Sequence, residues 1–413
     1  DGILYVALGQ AGQVGEYDRP PLILTFSFPS NGTDYQLPTK APTRKNSLTL
    51  KPSIIQVATK GPTNRVVIPS IRPKTRVPII KKSPQPTKQP TTKNLTSKPI
   101  KLNPSPFPNL GLPRAGIQDL EYLGAFRLKN GQFGISSVDW AVGALVYNPN
   151  RHSLFIVGHA HQNAIAEFPI VAAGKQTNVL DLPETPKPLQ NFVDLLKKVD
   201  NPEVLDRITG MMVIDGVLYV NAELWYDAVG VNKDTSLYVS DANNLAGSSV
   251  EGLFRLQGAA NCAGYMGRIP PEFQARFRGA EFYTGWSSVY SGFSRYSHGP
   301  SFWTFRPDDM KKKTTTASRR TVVSATPWVN YGYSNGNRSH WLSPRATEWA
   351  DQGSSGPFAP SDRLWNTLSQ GIYGFFIPST RTWCVIGATA GLESGIGYKA
   401  IQSNGAECGG GCP

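Results

Sequence analysis

From Pro38 to Ala115 the chain carries 16 Lys or Arg and no Asp or Glu, together with 15 Pro, 10 Thr and 6 Ser in 78 residues. No aromatic residue occurs in this stretch before Phe107. Proline fixes φ and removes an amide donor, so this density argues against helices and central strands. A segment of this kind cannot bury enough apolar surface to offset its ordering entropy. Any core must therefore be built by the residues on either side of it. The arm is not uniformly polar. Ser47-Leu48-Thr49-Leu50, Ile54-Ile55-Gln56-Val57, Arg65-Val66-Val67-Ile68 and Arg76-Val77-Pro78-Ile79-Ile80 are short β-prone patches. They read as edge strands that an extended arm adds to a partner surface, with Ile54, Val57, Val67 and Ile79 as its apolar contacts. Extended at ~3.1 Å per residue, the arm spans on the order of 240 Å.

The arm also explains the net charge of +13. Residues 1–37 hold one Arg against four acidic residues, and residues 116–413 hold 25 basic and 25 acidic residues. All of the positive excess thus sits in the arm. Its charges are spread at about one per five residues without interleaved aromatics, which does not suit nucleic acid. Glycans, anionic surface polymers or neighbouring copies of the chain suit diffuse charge better.

Forty Gly, 34 Pro, 9 Trp, 16 Tyr and 18 Phe favour turns and aromatic-rich strands over helices, so the expected class is all-β. No run of 18 apolar residues exists, and no membrane-spanning helix is expected. The sequence starts at Asp1, which fits a processed, extracellular or cell-surface protein. Cys408-Gly-Gly-Gly-Cys412 is a candidate disulfide, with Cys262 and Cys384 as the remaining candidates. The cysteines lack zinc-site spacing. Asn31, Asn94 and Asn337 begin glycosylation sequons.

Three regions follow. Residues 1–37 form an N-terminal strand segment, 38–115 the Lys/Pro/Thr-rich arm, and 116–413 the main β domain with its cysteine-containing tail. In the first, Leu22-Ile23-Leu24-Thr25-Phe26-Ser27-Phe28 alternates, with Leu22, Leu24, Phe26 and Phe28 on one face. Ile3-Leu4-Tyr5-Val6-Ala7-Leu8 is a second strand. Two strands are too few for a stable domain, so the apolar face must dock on the main domain or on another subunit.

In residues 116–413, apolar runs alternate with turns. One unit runs from Gly143 through Pro149 to Gly158, and another from Gly371 through Pro378 to Gly387. A shorter unit, Met211-Met212-Val213-Ile214-Asp215-Gly216-Val217-Leu218-Tyr219-Val220, turns at Asp-Gly. These units resemble blades of β-propellers of the NHL or kelch-like kind. With Tyr122-Leu123-Gly124-Ala125-Phe126-Arg127 they also resemble uncharacterised environmental bacterial or phage-borne proteins. The resemblance implies a propeller-like domain of about six or seven blades. Leu189 to Val199 has amphipathic helical spacing, and a short helical turn is expected at Pro271 to Phe277.

Chemistry-bearing motifs are few. His159-Ala160-His161 would place two imidazoles on one face of a strand and could meet a metal, with Glu167 as a third group, but a polar strand end is the simpler reading. Glu223, Asp227 and Asp139 could supply the paired carboxylates of glycoside hydrolysis. The aromatic band around Phe282, Tyr283, Trp286 and Tyr290 serves either packing or sugar stacking. Gly332-Tyr333-Ser334-Asn335-Gly336 lacks the helix that a nucleophile elbow needs. The expected protein is not an enzyme and needs no cofactor. It is a structural subunit of an extracellular assembly, a helical filament joined to other copies of itself through the strand and arm. The alternatives are a secreted carbohydrate-binding or glycan-cleaving propeller on a stalk, or a virion surface or fibre protein.

Overall fold

The computed structural model describes residues 3–8, 22–27, 111–141, 143–225, 227, 232–286, 299–312, 322–331, 370–388, 398–401 and 407–409. These residues belong to one compact unit formed by 1–35 and 108–413. The second unit, 36–107, lies outside the described residues, and with it the arm contacts Ile54, Val57, Val67 and Ile79. Phe28, Cys412, the Cys408 side chain, the Gly332–Gly336 motif and the sequons at Asn31, Asn94 and Asn337 also lie outside them.

The regular secondary structure of the described residues is mostly β, with little helix. The first sheet joins β1 (Ile3–Leu8), β2 (Leu22–Ser27) and β3 (Glu121–Arg127). The second is an antiparallel meander of β4 (Leu145–Asn148), β5 (Ser153–Val157), β6 (Ile165–Pro169) and β7 (Gln190–Val193). The third repeats that order with β8 (Arg207–Ile214), β9 (Val217–Glu223), β10 (Ser236–Val239) and β11 (Val250–Leu256). The fourth contains β12 (Met266–Arg268), β13 (Phe282–Thr284), β14 (Phe302–Phe305) and, after the two-residue β15 (Val322–Val323) that pairs with β11, β16 (Ala325–Val329). The antiparallel pairs β17 (Gln370–Phe376) with β18 (Trp383–Ala388) and β19 (Tyr398–Ile401) with β20 (Glu407–Gly409) complete the described strands.

Side-chain parity explains how the sheets stack. On β5, Phe155 and Val157 face a core shared with β8, β9 and β10, whereas Leu154 and Ile156 face the core shared with Ile23 and Phe126. On β8, Met211 joins the first of these cores and Met212 and Ile214 join the next, with Met266, Trp303 and Phe305. Tyr283 and Phe302 then face Tyr373, Phe376 and Trp383. Each inner sheet is therefore apolar on both faces, and its strands read as continuous hydrophobic runs instead of strict alternation. The first strands of successive sheets lie side by side, β4 against β8, β8 against β12 and β12 against β17. No closed propeller is present among the described residues.

The local turn chemistry is as the sequence implies. Ile214 pairs with Val217, and both turn residues have positive φ, 49° at Asp215 and 79° at Gly216. A type I′ hairpin requires that conformation. The two longer units form the β4–β5 and β17–β18 hairpins. Pro271–Gln274 is the α-helix among the described residues (α1), followed by one 3-10 turn, Ala275–Phe277.

The amphipathic run at 189–199 is not a helix. Gln190–Val193 is β7, and Leu196–Lys198 is a short 3-10 turn. Phe192 enters the core next to Phe168 while Val193 packs in the opposite layer. A strand wedged between two apolar layers needs apolar residues at successive positions, which over ten residues mimics helical spacing. No helix of the described residues is long and apolar enough to cross a membrane.

Candidate functional site

The N-terminal hairpin is where the sequence placed the assembly contact, and it docks on the main β domain of its own chain. β1 and β2 pair in register from Ile3 opposite Ser27 to Leu8 opposite Leu22. β2 then pairs antiparallel with β3, from Leu22 opposite Arg127 to Ser27 opposite Glu121, with a bulge after Thr25. The other edge of β3 is taken up by residues 174–185. Ala125 and Gly174 exchange two bonds of 2.8 Å, and the Arg127 amide donates to the Pro183 carbonyl at 2.7 Å. The hairpin therefore fills the one β3 edge that these contacts leave open.

Within the chain, β2 buries its Ile23/Thr25 face, and the Leu22/Leu24/Phe26 face, expected to dock on the main domain or on another subunit, is not the one that enters the core. Ile23 is fully buried beside Phe126, Leu154 and Phe168. Thr25 is buried and its hydroxyl donates to the Gly124 carbonyl at 2.8 Å. Leu22, Leu24 and Phe26 are only half-buried, and Phe26 packs on Tyr122 with ring centroids 5.7 Å apart. The alternation was legible, but its direction was not. Counting apolar residues favours the Leu/Phe face, whereas the space between β2 and β5 fits one Ile and a Thr that can bond to the bulge backbone. Tyr5 joins the same core and stacks on Tyr147, centroids 6.2 Å apart. Burying Ile23 alone contributes roughly 1.5–3 kcal/mol.

The other candidate groups meet at one end of the sheets, on the turns β3–β4, β5–β6 and β9–β10. His159 forms an isolated antiparallel bridge with Ala141 just beyond β5, and Ala160-His161 lie in the turn that follows, so the three do not continue a strand. The rings are 5.3 Å apart, and the His161 amide donates to His159 Nδ1 at 3.1 Å. Glu167 is spent elsewhere. Fully buried, it accepts from Asn148 at 2.9 Å, Arg151 at 3.0 Å, Gln190 at 2.7 Å and the Ser153 hydroxyl. Among the described residues no group of three or more potential ligands is arranged to hold a metal.

The carboxylates at this end hold backbone in place. Asp206 accepts the Trp225 amide at 2.8 Å and Asp227 accepts the Asn232 amide at 3.0 Å. Glu203 accepts the amides of Lys233 and Asp234 at 2.6 and 3.1 Å. Glu223 is nearly buried and accepts the Trp286 indole N–H at 2.9 Å. Asp139 accepts the Ser137 hydroxyl at 3.2 Å. The three carboxylates named from sequence thus each have a hydrogen-bond partner, Ser137 for Asp139, Trp286 for Glu223 and Asn232 for Asp227.

Tyr283, Trp286, Phe302 and Trp303 are buried, so this part of the aromatic band is packing, while 287–298 lie outside the described residues. Cys262 and Cys384 are both free thiols. Cys262 is enclosed between the third and fourth sheets, and burial pushes its thiol pKa far up. No motif in the sequence singles out Arg207, Trp225 and Trp140, of which Trp140 and Arg207 bond to Ala160 and Trp225 lies beside the Arg207 guanidinium. Their signal was available only as residues flanking strand ends, because no motif links them.

No protein-family model, curated protein or solved structure matches the chain.

Proposed function

We propose that the protein is a structural subunit of an extracellular assembly, a helical filament in which each subunit lends its N-terminal hairpin to the next. The carrying observation is the β2–β3 seam. Ile23 completes a core of the main domain, yet the covalent path from β2 to β3 runs through the whole arm. A strand edge does not distinguish its own hairpin from an identical one on a neighbour. The arm's reach of on the order of 240 Å makes exchange geometrically easy. An exchange that does not close into a ring generates an open polymer.

The main domain is, in this reading, a β-propeller whose inner strands are β4, β8, β12 and β17. Support comes from the repeated antiparallel meanders and from the side-by-side contact of their first strands. Those meanders begin at Leu145, Arg207 and Met266, 62 and 59 residues apart. At that spacing residues 116–413 hold about five blades, fewer than the six or seven expected.

The test removes residues 1–37 and supplies a separate peptide of the same residues. The truncated chain is expected to stay short in electron micrographs and to bind the peptide in trans with a rise in melting temperature. Filaments of normal length from the truncated chain would refute the proposal.

A further inference from the structure

Trp140 and Trp225 are the two exposed indoles among the described tryptophans, 38% and 44% accessible, while Trp286 and Trp303 are buried. They stand on different turns, β3–β4 and β9–β10, yet one chain of contacts joins them. The Trp140 carbonyl accepts the Ala160 amide at 3.1 Å. The Ala160 carbonyl accepts Arg207 Nη1 and Asn163 Nδ2, both at 2.6 Å. The Arg207 guanidinium carbon lies 6.0 Å from the centre of the Trp225 ring. Asp206 fixes the Trp225 backbone from below through the 2.8 Å bond to its amide.

The backbone at Trp140 is held at φ 51°. That region is costly for a large side chain, and such strain is retained where surrounding contacts over-determine it. Asn163, in the neighbouring turn, has φ 48°. Exposing two indoles while spending backbone strain and a cation to set them is hard to explain by packing, since neither side chain fills a core.

From this we infer that the turn end carrying Trp140, His159, His161, Arg207 and Trp225 is a carbohydrate-binding site for neutral hexopyranose units of a polysaccharide. A pyranose has apolar C–H faces and a rim of hydroxyls. An indole face supplies the complementary apolar surface. Arg207 can donate to hydroxyl oxygens, the imidazoles can donate to or accept from the hydroxyls, and the Asp139 carboxylate can accept from them. The charges select against polyanions, because Asp139, Glu203, Asp206, Glu223 and Asp227 at this end outnumber Arg207 and Lys233. Phosphate and uronate polymers would meet net negative charge there. This site is independent of hairpin exchange and would remain if the chain proved to be a monomer.

The test is affinity electrophoresis of the full chain in gels containing a soluble β-glucan, a mannan or a galactan, with alginate and pectate as acidic comparators. Retardation by at least one neutral polymer is expected. Trp140→Ala and Trp225→Ala should each weaken it about tenfold, the worth of one aromatic stacking contact. Trp225→Phe should keep part of the affinity, and it serves as the readout if the alanine variant does not fold. Each variant is checked for an unchanged melting temperature. No retardation by any neutral polymer, retardation by the acidic polymers alone, or undiminished binding by folded variants would each overturn the assignment.

Discussion

Asn221 shows how single polar groups set the sheet arrangement. It is fully buried at the end of β9. Its amide donates to the carbonyls of Cys262 and Gly264 at 2.9 and 2.8 Å and to the Thr284 hydroxyl at 3.1 Å. Its oxygen accepts the Ser236 hydroxyl at 2.6 Å. One side chain thereby ties the third sheet to the fourth. Asn221→Leu preserves volume but strands the Gly264 carbonyl and the Ser236 hydroxyl. An unsatisfied buried group costs about 1–3 kcal/mol, so urea denaturation should show a loss of about 2–4 kcal/mol. Cys262, next to this knot, is walled off and its thiol is held protonated. Only a thiolate alkylates readily. Iodoacetamide at pH 8, read by peptide mass mapping, should label half-buried Cys384 ahead of Cys262, and Cys262 only after unfolding.

At the scale of elements, two glycines separate backbone strain from steric exclusion. Gly216 sits at φ 79°, and a methyl group added there would touch nothing within 4 Å. Gly216→Ala should therefore cost only the left-handed penalty, about 1–2 kcal/mol, with the β8–β9 hairpin retained. Gly210 is different. It lies on β8 against β12, and an added methyl group would collide with the backbone carbonyl of Gly264. Gly210→Ala should force the third and fourth sheets apart. Its expected outcome is loss of soluble folded protein, against a modest shift in denaturation midpoint for Gly216→Ala. The β8–β9 turn was legible because Asp-Gly encodes its own geometry. The need for glycine at 210 was not, because the colliding atom lies 54 residues away in sequence.

For the whole molecule, the stacking of sheets through aromatic cores predicts sensitivity to alkali. Tyr265 and Tyr283 are fully buried, and each hydroxyl donates to a backbone carbonyl, that of Ser301 at 2.7 Å and that of Gly374 at 2.6 Å. Burial pushes both phenols well above their ordinary range, as it does the Cys262 thiol. The folded state thus keeps protons that the unfolded chain releases, the thiol above about pH 8.5 and the phenols above about pH 10. With fewer protons bound in the unfolded state, stability falls as pH rises. It should be level on this account below about pH 8.5 and then drop by about 1.4 kcal/mol per pH unit for each group that has passed its unfolded value. Denaturation midpoints measured from pH 7 to 11 check this. A flat profile would show that these side chains reach solvent.

The amino-acid sequence by itself determined the class of the fold, several of its hairpins and the separation of a basic arm from a neutral β domain. These follow from local causes: β-branched and aromatic runs, turn residues with the right φ, and proline density. Tertiary structure alone decided which face of β2 is buried, that 190–193 is a strand, and that His159 and His161, beside Trp140 and Arg207, do not continue a strand. Those outcomes depend on what packs across the sheet. When both faces of a strand are covered, apolar pattern no longer says which way a residue points. The same dependence makes the β2–β3 seam informative, since Ile23 is chosen by a cavity more than ninety residues further along the chain.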